Sequence, residues 1–209
     1  MLRYMTPKGL GHYPKLRDTM FRDRAAQFSD RLGWAVSVDD QGYERDQYDA
    51  LNPLYVIWQQ ADGSHGGSMR FLPTMGRCMV NEHFAHLNGG APVHSPVIWE
   101  CTRFCLAPGA GPRVAAALML AGGELLERQG LRHFVGVFDA NMERIYRRIG
   151  SSPQVLGSAG AGRDRVSLGL WSLSAEARAR VAWRAGVSAA LSDLWYRRAF
   201  GDAEIVQSA

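Results

Sequence analysis

An α/β fold with a mixed sheet covered by helices is the class this 209-residue chain predicts. Two patterns carry the prediction. Short apolar, aromatic and β-branched runs (LYVIWQQ, SMRFLP, VIWECTRFCLA, HFVGVFD, RVSLGLWSL) read as strands. They interleave with longer segments of helical spacing, an order that puts helices on the faces of a sheet. Composition agrees: 46% hydrophobic and 21% charged residues suit a globular chain that buries a real core. No internal repeat or low-complexity tract occurs. The one linker-like stretch, GSAGAGRD at 157–164, is too short to mark a boundary. The expectation is a single domain over 1–209.

Taken in order, MLRYMTPKGLGHYPKLR is basic and broken by glycine and proline. It lacks the apolar centre of a secretory signal. Pro14 opens a first helix, with Leu16, Met20, Ala25, Phe28 and Leu32 as its stripe and Gly33 as its cap. Residues 39–53 read as a loop. LYVIWQQ (54–60) and SMRFLP (68–73) read as hairpin partners around the turn ADGSHGG. The stretch to Pro96 is irregular, with a helical turn near 80–87. A long central strand follows at 97–107, then a helix at 112–130 ended by Gly130. Next come a strand (133–139), a helix (141–150) ended by Gly150, and a strand (165–173). A closing helical segment over 174–198 has Ser174 as its N-cap. The longest apolar run, near 114–123, is too short to span a bilayer, so neither a membrane nor an export signal is expected and the address is cytoplasmic.

Three cysteines, Cys78, Cys101 and Cys105, fit a reducing compartment better than a disulfide framework. On a strand Cys101 and Cys105 share a face and read as small core residues. CTRFC lacks a nearby fourth ligand, and His83, His86 and His94 read as loop histidines, so no metal is expected. Neither a P-loop nor a G-x-S-x-G elbow is present. The net charge of +4 is uneven. Between Arg128 and Arg165 seven arginines face only Asp139, Glu143 and Asp164. Such a patch suits an anionic partner, nucleic acid or acidic protein, or is a plain solvated surface. Aromatics do not interleave with it, which argues against nucleic acid.

Charges inside expected strands are more informative, because a buried charge needs a partner. Arg70 sits in SMRFLP, and Glu100 and Arg103 sit in VIWECTRF. On strict alternation Glu100 faces one way with Thr102 and Phe104, and Arg103 the other, unless a bulge realigns them. Arg24 and Phe28 share a helix face. The acidic segment DDQGYERDQYD supplies Asp46 and Asp49. Arg24, Arg70 and Arg103 therefore match Asp46, Asp49 and Glu100 in sign. Two readings fit: a structural ion-pair network, or a polar cleft for a zwitterion with Phe28 and Trp34 as an aromatic wall.

FRDRAAQFSDRLGW, ERDQYD, SMRFLPT, NEHFAHL and IWECTRF, in this order and spacing, resemble the acyl-homoserine-lactone synthases, the LuxI-type autoinducer synthases. The resemblance covers Arg24 to Phe104 closely and the rest in outline. It implies a GNAT-like three-layer sandwich whose mixed sheet is split by a V-shaped cleft. It implies that the amine of S-adenosylmethionine attacks an acyl-carrier-protein or acyl-CoA thioester. The methionyl carboxylate then closes a lactone and releases methylthioadenosine. S-Adenosylmethionine is a substrate here, and no cofactor is implied.

The family pattern falls on Arg24, Phe28, Trp34, Asp46, Asp49, Arg70, Phe84, Glu100 and Arg103. Glu100 is the expected general base. Arg24, Asp46, Arg103, Phe28, Trp34 and Phe104 are expected around S-adenosylmethionine. Met79, Phe84, Thr102, Leu125, Phe138, Met142 and Ile145 are candidates for the acyl channel. Arg144, Arg147, Arg148 and Arg163 are candidates for docking an acidic carrier protein. Family members that take 3-oxo chains carry threonine in the strand matching 137–139; Val137-Phe138-Asp139 departs from that. The alternative is a GNAT-like N-acyltransferase using acyl-CoA on another amine.

Overall fold

The computed structural model describes residues 1–172 and 174–201. Seven strands form one sheet among them: β1 (Leu2–Met5), β2 (Leu54–Gln59), β3 (His65–Pro73), β4 (Ile98–Leu106), β5 (His133–Asp139), β6 (Gln154–Ala159) and β7 (Val166–Trp171). Their order is β1-β2-β3-β4-β5-β7-β6. Every pairing is antiparallel except β4 with β5. The helices are α1 (Pro7–Gly11), α2 (Pro14–Ala25), α3 (Met79–His83), α4 (Pro112–Arg128), α5 (Ala140–Ile149), α6 (Ala175–Ala185) and α7 (Ala189–Phe200).

Alternation along the strands builds three layers. Leu2, Val56 and Phe71 face α4, α6 and α7, packing with Leu118, Val181 and Trp195. Tyr55 and Ile57 face the other way, against Leu16 and Met20 of α2. Farther along, Val135 and Leu168 meet Val80 of α3 and Leu87. The helix-covered face also buries Glu124 of α4, which the apolar pattern of that helix conceals. It accepts from Arg128 (3.1 Å), Arg178 of α6 (2.7 Å) and Ser192 of α7 (3.0 Å), tying three helices to one carboxylate.

Several elements differ from expectation. The Gly/Pro-rich start holds β1 and α1, because β1 needs only a four-residue edge pairing on β2. The linker-like stretch at 157–164 is partly strand: β6 runs to Ala159 on β7. The strand expected over 165–173 ends at Trp171, and Leu173 lies outside the described residues. The closing helix is two helices. Gly186 adopts φ 65°, and Ser188 caps α7 by accepting from Leu191 N. The first helix also changes character: after Ala25 it widens into a π-helical turn, Ala26–Arg31, with Leu32 N donating to Gln27 O (3.1 Å) before Gly33 turns the chain.

The feature that makes the site is the parting of β4 from β5. Their parallel pairing runs only from Ile98/His133 to Glu100/Val135. Beyond it β4 bulges: Arg70 of β3 faces Thr102 while Ser68 faces Cys105, leaving an extra residue on β4. Arg103 sits there with φ 53°, a conformation costly for a residue with a Cβ. The bulge reverses the alternation. Cys101 points toward α4, with its Sγ 3.8 Å from Met69 Sδ, whereas Cys105 points toward α2, 3.5 Å from Asp23 O. The two cysteines therefore lie on opposite faces, not the shared one that alternation predicts.

Gly136 marks the fork on β5. A Cβ there would stand 2.6 Å from the Cys101 carbonyl oxygen. Gly136→Ala should lower stability by about 1–3 kcal/mol, because backbone must move. Thermal unfolding checks this; an unchanged midpoint would mean that the strands have room to spare.

Candidate active site

The acidic segment 39–53 keeps its shape through its own carboxylates. Asp39 Oδ1 accepts from Gln41 N and Tyr43 N, both at 3.0 Å. Asp46 Oδ1 accepts from Tyr48 N (2.9 Å) and Asp49 N (3.2 Å), while Asp49 Oδ2 accepts from Asp46 N (2.9 Å). Short acidic side chains folding back on the backbone are a standard way to hold turns. Asp39 Oδ2 pairs with Arg45 at the surface, while Asp46 and Asp49 also point inward, at buried arginines.

Those arginines come from α2, β3 and β4. Arg24 donates to Asp49 in a two-pronged fork (3.0 and 2.9 Å) and to Glu44 through Nε (2.6 Å). Arg70 forks onto Asp46 (2.5 and 3.0 Å), reaches Asp49 at 2.9 Å and donates to Thr102 (3.1 Å). Arg103 donates to Glu44 (2.9 Å) and Asp46 (2.7 Å). Three guanidiniums and three carboxylates thus close a neutral network. Arg24, Arg70 and Glu44 are 1%, 0% and 0% exposed. Fork geometry of this kind is what offsets the desolvation of buried charge.

Electrostatics follow. Burial would raise the Asp49 carboxyl, but Arg24 and Arg70 outweigh it and hold the group far below the usual carboxylate range. Tyr55 donates to Asp49 Oδ1 (2.7 Å), and burial beside that carboxylate pushes its phenol up. Around the network, Phe28 stacks on Trp34 (5.3 Å between rings, 11° apart), and the Arg103 guanidinium lies 5.4 Å over Phe28. Phe28 is buried; Trp34 keeps 43% of its surface exposed.

Two hollows meet at this network. An open cleft of about 740 Å³ is lined by Trp34, Asp46, Tyr48, Met79, Arg103 and Arg163 among others. An apolar cavity of about 60 Å³ lies in the fork between β4, β5 and α4, walled by Met69, Phe71, Phe104, Met119, Tyr146 and Trp171 among others. Arg103 and Val137 line both. An open cleft of mixed lining beside a small apolar cavity suits a charged substrate beside a chain-bearing one.

Residues 11–181 match the family model described as "Autoinducer synthase". The chain belongs to the autoinducer synthase family. An acyl-homoserine-lactone synthase from Rhizobium etli is 43% identical over 183 residues, 84% of this chain and 86% of its own length. Among solved structures, the acyl-homoserine-lactone synthase LasI is 28% identical with a TM-score of 0.75, covering 87% of this chain and 93% of its own. MesI, described as a CoA-dependent acyl-homoserine lactone synthase, is 25% identical with a TM-score of 0.77, covering 91% and 98%. The fold is the GNAT-like α/β sandwich, and the protein is an acyltransferase of the autoinducer synthase family.

Within this synthase the sequence-derived residues separate into groups. Arg24, Arg70, Arg103, Asp46 and Asp49 come together in the network. Glu100 does not join it; the third carboxylate is Glu44, which sequence reading passed over. Nothing in the sequence singles it out: it is one acid among several in a loop, and Glu100 already balances the three arginines in sign. Glu100 instead accepts from Met79 N (3.2 Å) and Val80 N (2.5 Å), where it holds the start of α3. Burial raises its carboxyl above the ordinary value, opposed by those two amides and by Arg70. Arg24 is enclosed by its partners, away from the cleft surface.

Phe104 turns into the apolar cavity, edge-on to Tyr146 at 6.2 Å, and not toward the Phe28–Trp34 stack. Of the acyl-channel candidates, Thr102 lines that cavity. Met79, Phe84 and Phe138 line the open cleft. Leu125 is buried in the α4 core, and Met142 packs against the same core. Ile145 is 38% exposed, because the inward stripe of α5 is Met142, Tyr146 and Ile149. Arg163 lines the cleft, Arg144 and Arg148 are exposed on α5, and Arg147 faces away toward α6. Among the described residues no cluster of three His, Cys, Asp or Glu could hold a metal, and no helix is long and apolar enough to cross a membrane.

Asp49→Asn should destabilise the fold by about 3–5 kcal/mol, because Arg24 and Arg70 lose a buried counter-charge. The depressed Asp49 carboxyl contributes stability that is complete above its unfolded value, about 3.9, and is lost as pH falls below it. Denaturant titrations at pH 7 and pH 3 should therefore show a smaller wild-type-to-variant gap at pH 3. An equal gap at both would place the loss elsewhere.

Proposed function

We propose that the open cleft binds S-adenosylmethionine and that the cavity in the β4–β5 fork takes the acyl chain of a carrier-protein or CoA thioester. The protein makes an acyl-homoserine lactone, a quorum-sensing signal. The observation that supports this most is Arg103. A strained bulge residue, it holds Glu44 and Asp46, lies over Phe28 and lines both hollows at once. The reacting amine and thioester would meet beside it.

In this reading the Phe28–Trp34 stack packs against the adenosyl and sulfonium groups, whose positive charge aromatic faces favour. Asp46, on the cleft wall, faces the ammonium, and Arg103 orients the carboxylate. The amine must lose a proton before it attacks. Glu100, with its carboxyl raised by burial and one pleat before Thr102, takes that proton through water. The amine nitrogen bonds to the thioester carbon and the thiolate leaves. One carboxylate oxygen then attacks Cγ of the same molecule and the C–S bond breaks, releasing methylthioadenosine. A fixed near-attack geometry is the main aid to ring closure.

Cys101 and Cys105 are poor nucleophiles here. Burial, and for each a nearby carboxylate, push both thiols up. We place the reaction in the cytoplasm, where S-adenosylmethionine and acyl thioesters are made, and read 1–209 as one working domain. The exposed Arg144 and Arg148, with Arg163 at the cleft edge, would meet an acidic carrier protein. The runner-up, N-acylation of a different amine, predicts no methylthioadenosine.

Incubation with S-adenosylmethionine and a series of acyl thioesters should release methylthioadenosine, read by chromatography; none with any donor ends the proposal. Glu100→Gln should cut turnover by about 10²-fold or more while the unfolding midpoint moves only a few degrees. Losses in proportion would mark Glu100 as an anchor of α3 alone. Arg144→Glu with Arg148→Glu should raise KM for carrier-protein donors, most at low salt, and leave acyl-CoA turnover alone. An unchanged carrier response moves docking to another face.

A further inference from the structure

Behind the apolar cavity lies a second, basic hollow of about 410 Å³, between the end of α5 and the length of α6. Arg147, Arg180 and Arg184 line it together with Ser151, Ser152 and Ser172. Other arginines nearby are paired: Arg178 with Glu124 and Glu127, Arg165 with Glu143. Among the described residues none of these three makes a direct ion pair, although Glu176, one turn before Arg180 on α6, feels that arginine's charge.

Arg184 is the most telling. Its Nη1 is buried without an acceptor. It lies so close over Gly150 that a Cβ at that position would collide with it, and Gly150 holds φ 88°. Two of the carbonyls that end α5 are taken: Gly150 N donates to Tyr146 O (2.9 Å) and Arg147 O (3.2 Å), and Ser151 N to Tyr146 O (3.1 Å). A buried donor without a partner is completed by a water, an ion or a ligand.

Position says which ligand. Ser151 and Ser172 line this hollow and also the apolar cavity, so the two are neighbours with these residues between them. Unpaired guanidinium forks recognise an oxyanion, and the cavity beyond accepts an alkyl chain. We infer that the Arg147–Arg180–Arg184 hollow is a carboxylate site for an alkyl-chain acid whose tail lies in the apolar cavity. This rests on the reading of that cavity as the acyl site. Two sources share the chemistry. A free fatty acid would bind head-first from the α6 side and exclude the acyl donor. An acyl thioester with a carboxylate at its far end would bind from the cleft and be used.

Calorimetric titration of the full chain with octanoate and with 1-octanol compares equal tails with and without the charge. Octanoate should bind at least about ten-fold tighter, and Arg180→Gln and Arg184→Gln should each remove most of that difference. Turnover separates the sources. Octanoate competing with octanoyl thioester in the wild type but not in Arg184→Gln supports the free acid. Suberoyl thioester preferred over octanoyl thioester in the wild type only supports the dicarboxylic donor. Equal binding of acid and alcohol overturns the inference. So does an octanoate preference that survives both substitutions, the result if Arg184 serves only the α5 terminus. Binding is read without turnover, so a chain that never releases methylthioadenosine would end the synthase reading while the titration still decides the hollow.

Discussion

The buried ring of three guanidiniums and three carboxylates is the constraint on which the rest of this molecule depends. It joins α2, β3 and β4 to the acidic segment 39–53. Apolar packing alone does not do this work, because beyond Tyr43 and Tyr48 the segment has little that is apolar to bury. Charge balance does it instead, and six groups make it specific: removing any one strands an ion in a dry environment. The ring also explains how so polar a loop can form one wall of a cleft and still be rigid.

The same network makes sense of the bulge at Arg103. A regular strand would send that guanidinium to the α4 face, into the apolar layer. One extra residue in β4 turns it to the acidic segment, at the cost of a left-handed backbone at a bulky residue. Two hydrogen-bonded carboxylates over-determine that conformation. The bulge begins just past the last β4–β5 pair, so realignment and fork coincide. Gly136 lets the strands run close until the point at which they part.

Most of the sheet was legible in the sequence, because β2, β4, β5 and β7 carry dense aromatic and β-branched runs. Elements without that signal were missed. β1 and β6 are edge strands that need pairing more than pattern, and β6 is exposed along most of its length. The break between α6 and α7 was written as Gly186-Val187-Ser188, a cap followed by a start. At the site, the arginines stood out because charges inside strand patterns are conspicuous. Glu44 did not, because one acid among several in a loop carries no mark of burial. Glu100 was assigned to the ring by sign alone, although distance sends it to the amides of Met79 and Val80. Tyr146 was overlooked for Ile145, its neighbour, since which face of α5 turns inward depends on how the helix docks.

The widened turn at Ala26–Arg31 has a consequence of its own. A π-turn is an α-helix carrying one surplus residue, and each residue of helix swings later side chains by about 100°. Excising one position between Ala26 and Arg31 would let the segment relax into an ordinary α-helix and rotate everything after the cut. The tryptophan would leave its seat on the phenylalanine, though no atom of either ring had been changed. A lineage that acquired this aromatic platform could have done so by inserting a single codon, and could forfeit it as cheaply.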